Sequence, residues 1–333
     1  MDIQNQIFSE ILAANNIVVT AHKGPDGDAI GSALAMFHFL NAVSKSVSVC
    51  LPDDVAHNLK CLNGTDQILL FDKNTATVKE KLSQADLIFC MDYNAPDRLG
   101  SEMAIELQHS KARKILIDHH PNPKEFCDVM YSDITCCSTA QLVYELIEKS
   151  NNKELLNKDI CEAIYLGIVT DTGSFRFPSV TFRTHEIVSE LIKHGLKHHI
   201  VHEQVFDTNS IDKLKLRGYA IADKLEIIAG LPVGLITLSK AELMRFNYQN
   251  GDTDGLVNTI LSIAGIEVAC LMMEKNDGVK ISFRSKGNYF VNDLASKNFN
   301  GGGHKYAAGG IFYGSLDEAS LVLKKTINEY FLI

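Results

Sequence analysis

Four short apolar runs, each breaking off into a polar turn, constrain the fold of this chain more than any other feature of its sequence. They cover residues 18–21, 46–51, 85–91 and 114–117. Each is nearly continuous in apolar residues rather than alternating, the pattern of strands covered on both faces. Helical patterns lie between and after them, notably at 30–43, 138–149 and 159–169, and Ile3, Ile7, Ile11 and Leu12 share one face of a lead-in helix. Strand alternating with helix predicts an α/β first half built on a parallel sheet. Asp26 and Asp28 follow the first run, Asp92 closes the third, and Asp118, His119 and His120 close the fourth. All therefore fall at carboxyl ends of parallel strands, where open α/β sheets build their sites. Asp171 ends a further apolar run at 165–169. Taken singly, Asp92 reads equally well as the start of a turn, Asp171 as a helix cap and His119 as a core histidine. Metal-type ligands delivered together by several element ends point to one site.

The turn after the first run brings His22, Asp26 and Asp28 together, with Gly24, Pro25 and Gly27 to sharpen it. Carboxylates mixed with imidazole suit a hard or borderline divalent cation. A solvated turn whose Asp28 helps cap the next helix is the other reading of this loop, and the loop alone leaves both open.

At 333 residues the chain suggests two domains. A net charge of −9, with no run of Lys or Arg beyond two, excludes a broad electrostatic footprint for long nucleic acid. A phosphate-bearing ligand must then be gripped locally. The eight cysteines form no C-x-x-C pair and mostly sit in apolar runs, so reduced thiols are expected rather than disulfides or a zinc site. The start lacks a basic, apolar signal pattern, and no stretch approaches the ~18 apolar residues of a membrane span. The cytoplasm is the expected location, with no membrane partner.

Residues 183–199 read as a helix and a His-rich turn whose His194, His198 and His199 are expected in solvent. The chain then turns polar and helical over 200–219, as a hinge-like linker would. Beyond it, strand pairs at 224–229 with 233–238 and at 267–274 with 278–284, and helices at 253–263, 291–299 and 317–330, make a smaller α+β domain. One strand delivers Arg284, whose planar fork suits phosphate oxygens. The other feature is Gly301, Gly302 and Gly303 followed by His304, read as a loop whose N–H groups can approach an anion. A mere flexible turn is the plainer reading of that run.

His22-x-x-x-Asp26-x-Asp28, Asp92, Asp118-His119-His120 and Thr170-Asp171-Thr172-Gly173 resemble, in order, the four motifs of the DHH phosphoesterase superfamily. Gly301-Gly302-Gly303-His304 with Ala307-Ala308-Gly309 resembles its DHHA1 domain. The length and the segment Thr-Asp-Thr-Gly-Ser-Phe-Arg-Phe are most similar to the nanoRNase/pAp-phosphatase (oligoribonuclease) type, and Arg98 and Ser138-Thr139-Ala140 keep the family's spelling. The resemblance implies a DHH domain over 1–195, a helical linker over 196–220, a DHHA1 domain over 221–333 and an active site in the cleft between domains.

It also implies two divalent metal ions, manganese first, with magnesium and cobalt as alternatives. His22, Asp26 and Asp171 would hold one, Asp28 and His119 the other, with Asp92 between them. His120 would contact the scissile phosphate, and Asp118 would orient a ligand histidine or its loop. Arg284, Ser285, the glycine run, His304 and Lys286 would grip the substrate. Arg98 and Arg176 are further candidates for substrate or structural roles. The implied activity is hydrolysis of short oligonucleotides to 5′-mononucleotides, dephosphorylation of 3′-phosphoadenosine 5′-phosphate (pAp), or cleavage of linear pApA. The rivals are a phosphoanhydride hydrolase of the exopolyphosphatase or pyrophosphatase kind and an inactive nucleotide-binding protein, the latter predicting a lost ligand that the sequence does not show. Expected partners are a short oligonucleotide or nucleotide and not long duplex nucleic acid; a homodimer is left open.

Overall fold

The computed structural model describes residues 2–150 and 152–331. The chain divides into two units, Met1–Thr208 and Asn209–Ile333. The first carries strands β1 (Asn16–Ala21), β2 (Ser46–Leu51), β3 (Leu69–Leu70), β4 (Leu87–Met91), β5 (Arg113–Asp118) and β6 (Val129–Ser132). Its helices are α1 (Ile3–Ala13), α2 (Gly27–Ala42), α3 (Phe71–Gln84), α4 (Ser101–His109), α5 (Thr139–Lys149), α6 (Lys158–Asp171), α7 (Phe182–Lys193) and α8 (His198–Phe206).

The strands form one parallel sheet in the order β3-β2-β1-β4-β5-β6. Alternate residues of β1 face opposite layers. Ile17, Val19 and Ala21 join the core built with α2, α5 and α6, whereas Val18 packs with Val78 and Leu82 of α3 and Met103 and Leu107 of α4. Burial on both faces is why the central strands read as unbroken apolar runs. β3 and β6, at the two edges, are largely half-buried and left no such run to read. The chain leaves β1 toward β2 on one side and returns to β4 on the other, so the order reverses between β1 and β4. That reversal is the switch point, at whose carboxyl strand ends open α/β sheets place their sites.

Two glycines set the closeness of α2 and α6. A Cβ on Gly31 would lie 2.5 Å from Ala163 O, and one on Gly167 would lie 2.6 Å from Asp28 Oδ1 and 2.4 Å from Ala140 Cβ. Only residues without Cβ let the two helices touch there.

The second unit carries α9 (Ile211–Ala222), β7 (Leu225–Ile227), β8 (Val233–Leu238), α10 (Lys240–Arg245), α11 (Leu256–Leu261), β9 (Val268–Lys275), β10 (Gly278–Ser285), α12 (Val291–Asn298), β11 (Gly302–His304), β12 (Ala307–Phe312) and α13 (Leu316–Phe331). Its sheet runs β11-β12-β10-β9-β8-β7, antiparallel except for β8 beside β9. α12 and α13 cover one face, with Leu294, Leu323 and Ile327 against Ile281 and Phe283; α9 and α11 cover the other, with Leu216 and Ile260 against Leu271. The stretch expected as a linker holds two packed helices: α8 buries Val201 and Val205 in the first unit, and α9 buries Leu216 and Ala220 in the second. The helix expected over 253–263 is confined to Leu256–Leu261, because Gly255 before it is left-handed at φ 77°. All eight cysteines are free. Among the described residues, no helix is long and apolar enough to cross a membrane.

Candidate metal centre

β1 ends one residue before His22, which is 4% exposed. Its Nδ1 lies 3.0 Å from Lys23 O. A carbonyl only accepts, so Nδ1 carries the proton and Nε2 is the nitrogen turned toward the carboxylates. Asp26, not Asp28, caps α2: its Oδ1 accepts from Asp28 N at 3.0 Å and Ala29 N at 3.1 Å while standing 3.7 Å from His22 Nε2. Asp28 is instead turned into the protein, 1% exposed, and meets the N-terminus of α5. Thr139 N donates to its Oδ2 at 2.6 Å and Ala140 N to its Oδ1 at 2.9 Å. The cap and the ligand-bearing loop are thus the same turn.

Asp92, just beyond β4, adopts the left-handed conformation at φ 61°. Asp tolerates that region better than most residues, and a non-glycine held there is commonly a functional position. Its Oδ2 lies 3.6 Å from His22 Nε2, while its Oδ1 lies 3.7 Å from both His119 Nε2 and His120 Nδ1. The two oxygens of one buried carboxylate therefore face two different sets of candidate ligands. His119, beyond β5, places Nδ1 3.3 Å from Cys136 O and so also turns Nε2 inward. His120 Nδ1 and Asp118 Oδ1 are 2.8 Å apart; the other oxygen of Asp118, fully buried, has no hydrogen-bond partner among the described residues.

Among the described residues, four groups of histidine and aspartate side chains have candidate ligand atoms within 4.8 Å of one another, and two of them, His22 with Asp26 and Asp92, and Asp28 with His119 and Asp171, gather the candidate metal ligands. Asp171, expected on the His22 side, here has its Oδ2 3.4 Å from His119 Nε2. The close crossing at Gly31 and Gly167 brings the end of α6 over Asp28, and Asp171 ends that helix.

Crowded carboxylates make the site electrostatically strained without a cation. Burial, with Asp92 and Asp171 nearby, pushes the Asp28 carboxyl well above its ordinary range, and burial with Asp26 and Asp92 raises Asp171 to about 6 despite His119. Burial alone would neutralise His22, but Asp26 and Asp92 outweigh it and raise its pKa to about 10. Burial likewise opposes the charge on His120, and Asp118 and Asp92 more than offset it. Hard oxygen donors, inward-facing imidazoles and excess negative charge fit divalent cations.

The DHH family, N-terminal domain model matches residues 16–168, and the DHHA1 domain model matches residues 235–331. A crystal structure described as an exopolyphosphatase-related protein from Bacteroides fragilis superposes with a TM-score of 0.93 at 36% identity, covering 98% of this chain and 96% of that one. The chain belongs to the DHH family. It is also 28% identical to the bifunctional oligoribonuclease and PAP phosphatase NrnA of Bacillus subtilis over 96% of each chain. The NrnA of Thermus thermophilus is 28% identical, covering 94% of this chain and 90% of that protein. As a DHH-family phosphoesterase, this chain is a metal-dependent hydrolase of phosphoester bonds.

The DHHA1 domain holds the residues expected to grip substrate. The glycine run is a correction: Gly302 and Gly303, with His304, form the edge strand β11 rather than a loop, and Gly301 precedes it. A Cβ on Gly301 would meet Gly309 O at 1.9 Å and one on Gly303 would meet Ala307 O at 2.6 Å, so both are glycine because backbone packs on backbone there. Register aligns Arg284, Ala307 and His304 across β10, β12 and β11, and two residues along each strand it aligns Ser282, Gly309 and Gly302. Strand alternation puts all six on one face. That face is a floor of alanine and glycine flanked by an arginine and, about 10 Å away across two strand spacings, a histidine. Ser285 is turned elsewhere, 5% exposed, and its hydroxyl donates to Tyr289 O at 2.6 Å. Lys286 donates to Leu261 O at the end of α11. In the DHH domain Arg98 and Arg176 are exposed.

The sequence marks Ser138-Thr139-Ala140 only by the family's spelling and assigns the first turn of α5 no role. Ser138 as N-cap was the available signal, yet nothing local revealed that the next two N–H groups hold Asp28.

Proposed function

We propose that this chain hydrolyses oligonucleotides of a few residues to 5′-mononucleotides and dephosphorylates pAp, using two divalent cations, manganese first. The observation that carries the reading is Asp92, a buried carboxylate whose two oxygens face two separate ligand groups at the switch point of a parallel sheet. The substrate class is supported by likeness over nearly the whole chain to proteins named oligoribonuclease and PAP phosphatase. When bound, two cations supply the Lewis acidity that in-line attack of water on a phosphoryl group requires. His22, Asp26 and Asp92 would hold one, and Asp28, His119 and Asp171 the other. Asp118 fixes the ring of His120, which is placed to stabilise the phosphoryl charge or give a proton to the leaving oxygen. Arg284 and His304 would take the terminal phosphate, and the bare floor between them would leave room for the nucleotide. Such recognition of a chain end favours short substrates.

The test is a substrate panel of pAp, pApA, short RNA, pyrophosphate and polyphosphate with Mn²⁺, Mg²⁺ and Co²⁺. Mononucleotide release from RNA of two to five residues, or phosphate release from pAp, is expected. Turnover of polyphosphate or pyrophosphate alone would replace this reading by phosphoanhydride hydrolysis.

A further inference from the structure

Thr139 opens α5 with its side chain fully buried, yet its hydroxyl serves no bond within its own helix. Thr139 Oγ1 donates to Asp92 Oδ1 at 2.8 Å, across 47 positions of sequence. Its backbone N donates at the same time to Asp28 Oδ2 at 2.6 Å, and Ala140 N donates to Asp28 Oδ1 at 2.9 Å. One residue thus touches a carboxylate from each strand end that flanks the switch point. The two holds differ in kind. Asp28 is gripped by backbone N–H groups at a helix N-terminus, which favours negative charge and does not depend on side-chain identity. Asp92 receives the hydroxyl, and Oδ1 is the oxygen that faces His119 and His120 while Oδ2 faces His22. A carboxylate free to rotate would not keep its oxygens divided between the two groups.

We propose that Thr139 is a positioning residue for the metal centre, its hydroxyl fixing the rotation of the Asp92 carboxylate so that one oxygen is presented to each ligand group. This rests on the two-cation reading above. The hydroxyl takes one lone pair of Oδ1 and leaves the others directed at the site, as partners behind metal ligands commonly do. Serine keeps the donor; valine keeps the shape and removes it. Alanine also removes it, without placing a methyl group against the carboxylate.

The experiment measures Mn²⁺ binding by calorimetry and the electron paramagnetic resonance spectrum of the loaded protein for wild type, Thr139→Val, Thr139→Ala and Thr139→Ser, with thermal melts alongside. Loss of such a partner is expected to weaken affinity for at least one ion by about 10–100-fold. The spin-coupled signal of a bridged Mn²⁺ pair should weaken in Thr139→Val and Thr139→Ala and return in Thr139→Ser. With pAp or a dinucleotide, kcat should fall while KM changes little. A folded Thr139→Val or Thr139→Ala that binds two Mn²⁺ with wild-type affinity and spectrum overturns the proposal and leaves the two-cation reading standing. A wild-type protein that binds no Mn²⁺ pair overturns the two-cation reading itself.

Discussion

Asp92 shows how much one residue can carry at this site. It is buried, left-handed at φ 61°, and hydrogen-bonded through its backbone N to Ile117 O at 3.0 Å. Asn shares the tolerance for that backbone conformation, so Asp92→Asn isolates the charge. Hydrolysis by the variant is expected to fall by at least ~10³-fold, about 4 kcal/mol of transition-state stabilisation, with a melting temperature in Mg²⁺-free buffer close to that of wild type. Steady-state kinetics and a melt check both halves, and near-normal turnover would contradict the assignment. Every residue of the two candidate groups was legible in the sequence as a possible ligand because each stands near an element end beside apolar residues that announce the element. The partition of Asp171 was not legible. It depends on how two helices cross, and a residue's place along its own helix says nothing about which neighbour it leans toward.

At the scale of elements, the crossing of α2 and α6 is the structural support of the site. Gly167→Ala would push a methyl group to within 2.6 Å of Asp28 Oδ1 and 2.4 Å of Ala140 Cβ. The helices must separate, at a cost of about 1–3 kcal/mol, and Asp28 must shift. A lower melting temperature together with weaker Mn²⁺ binding is expected; unchanged binding would show that the crossing does not set the ligand geometry. α10 offers a separate pH prediction. Glu242 closes a capping box with Ser239 and also accepts from Lys224 and Tyr219. Burial works against its charge, but Lys224, Tyr219 and Ser239 prevail and hold its pKa at about 2. A depressed carboxylate stabilises the fold above its unfolded pKa of about 4.3, and that stability is lost as pH falls toward 2. Glu242→Gln should therefore lower stability at pH 7 by about 1–2 kcal/mol and by progressively less on acidification, as urea melts at several pH values would show. Central strands and long helices were readable from sequence because full burial imposes apolar continuity. The glycine run was misread as a loop because strand pairing of Gly302 and His304 depends on residues 307–309 packing against it, which no local pattern declares.

For the molecule as a whole, the charge balance and the second unit bear on substrate size. With a net charge of −9 the chain has little to attract a long polyanion, so phosphate contacts must be few and local. If Arg284 and His304 hold one terminal phosphate, log(1/KM) should fall against log salt with a slope of about −0.7 to −1.4, the value for one or two single-strand phosphates. A slope several times steeper would mean binding along an extended strand. The fold of both units and the order of their motifs could be read from sequence, since each unit buries its own core. The bare floor of Ala307, Gly309 and Gly302 could not, because it exists only in the alignment of three strands. The most direct measurement is kcat/KM of Mn²⁺-loaded protein for 5′-phosphorylated RNA from two residues to about twenty, followed by the release of 5′-mononucleotide. Hydrolysis of short oligonucleotides from a recognised end predicts the highest value for the shortest substrates and a steep fall beyond about five residues. A value that is constant or rises with length, or the absence of mononucleotide release at every length and from pAp, would contradict it.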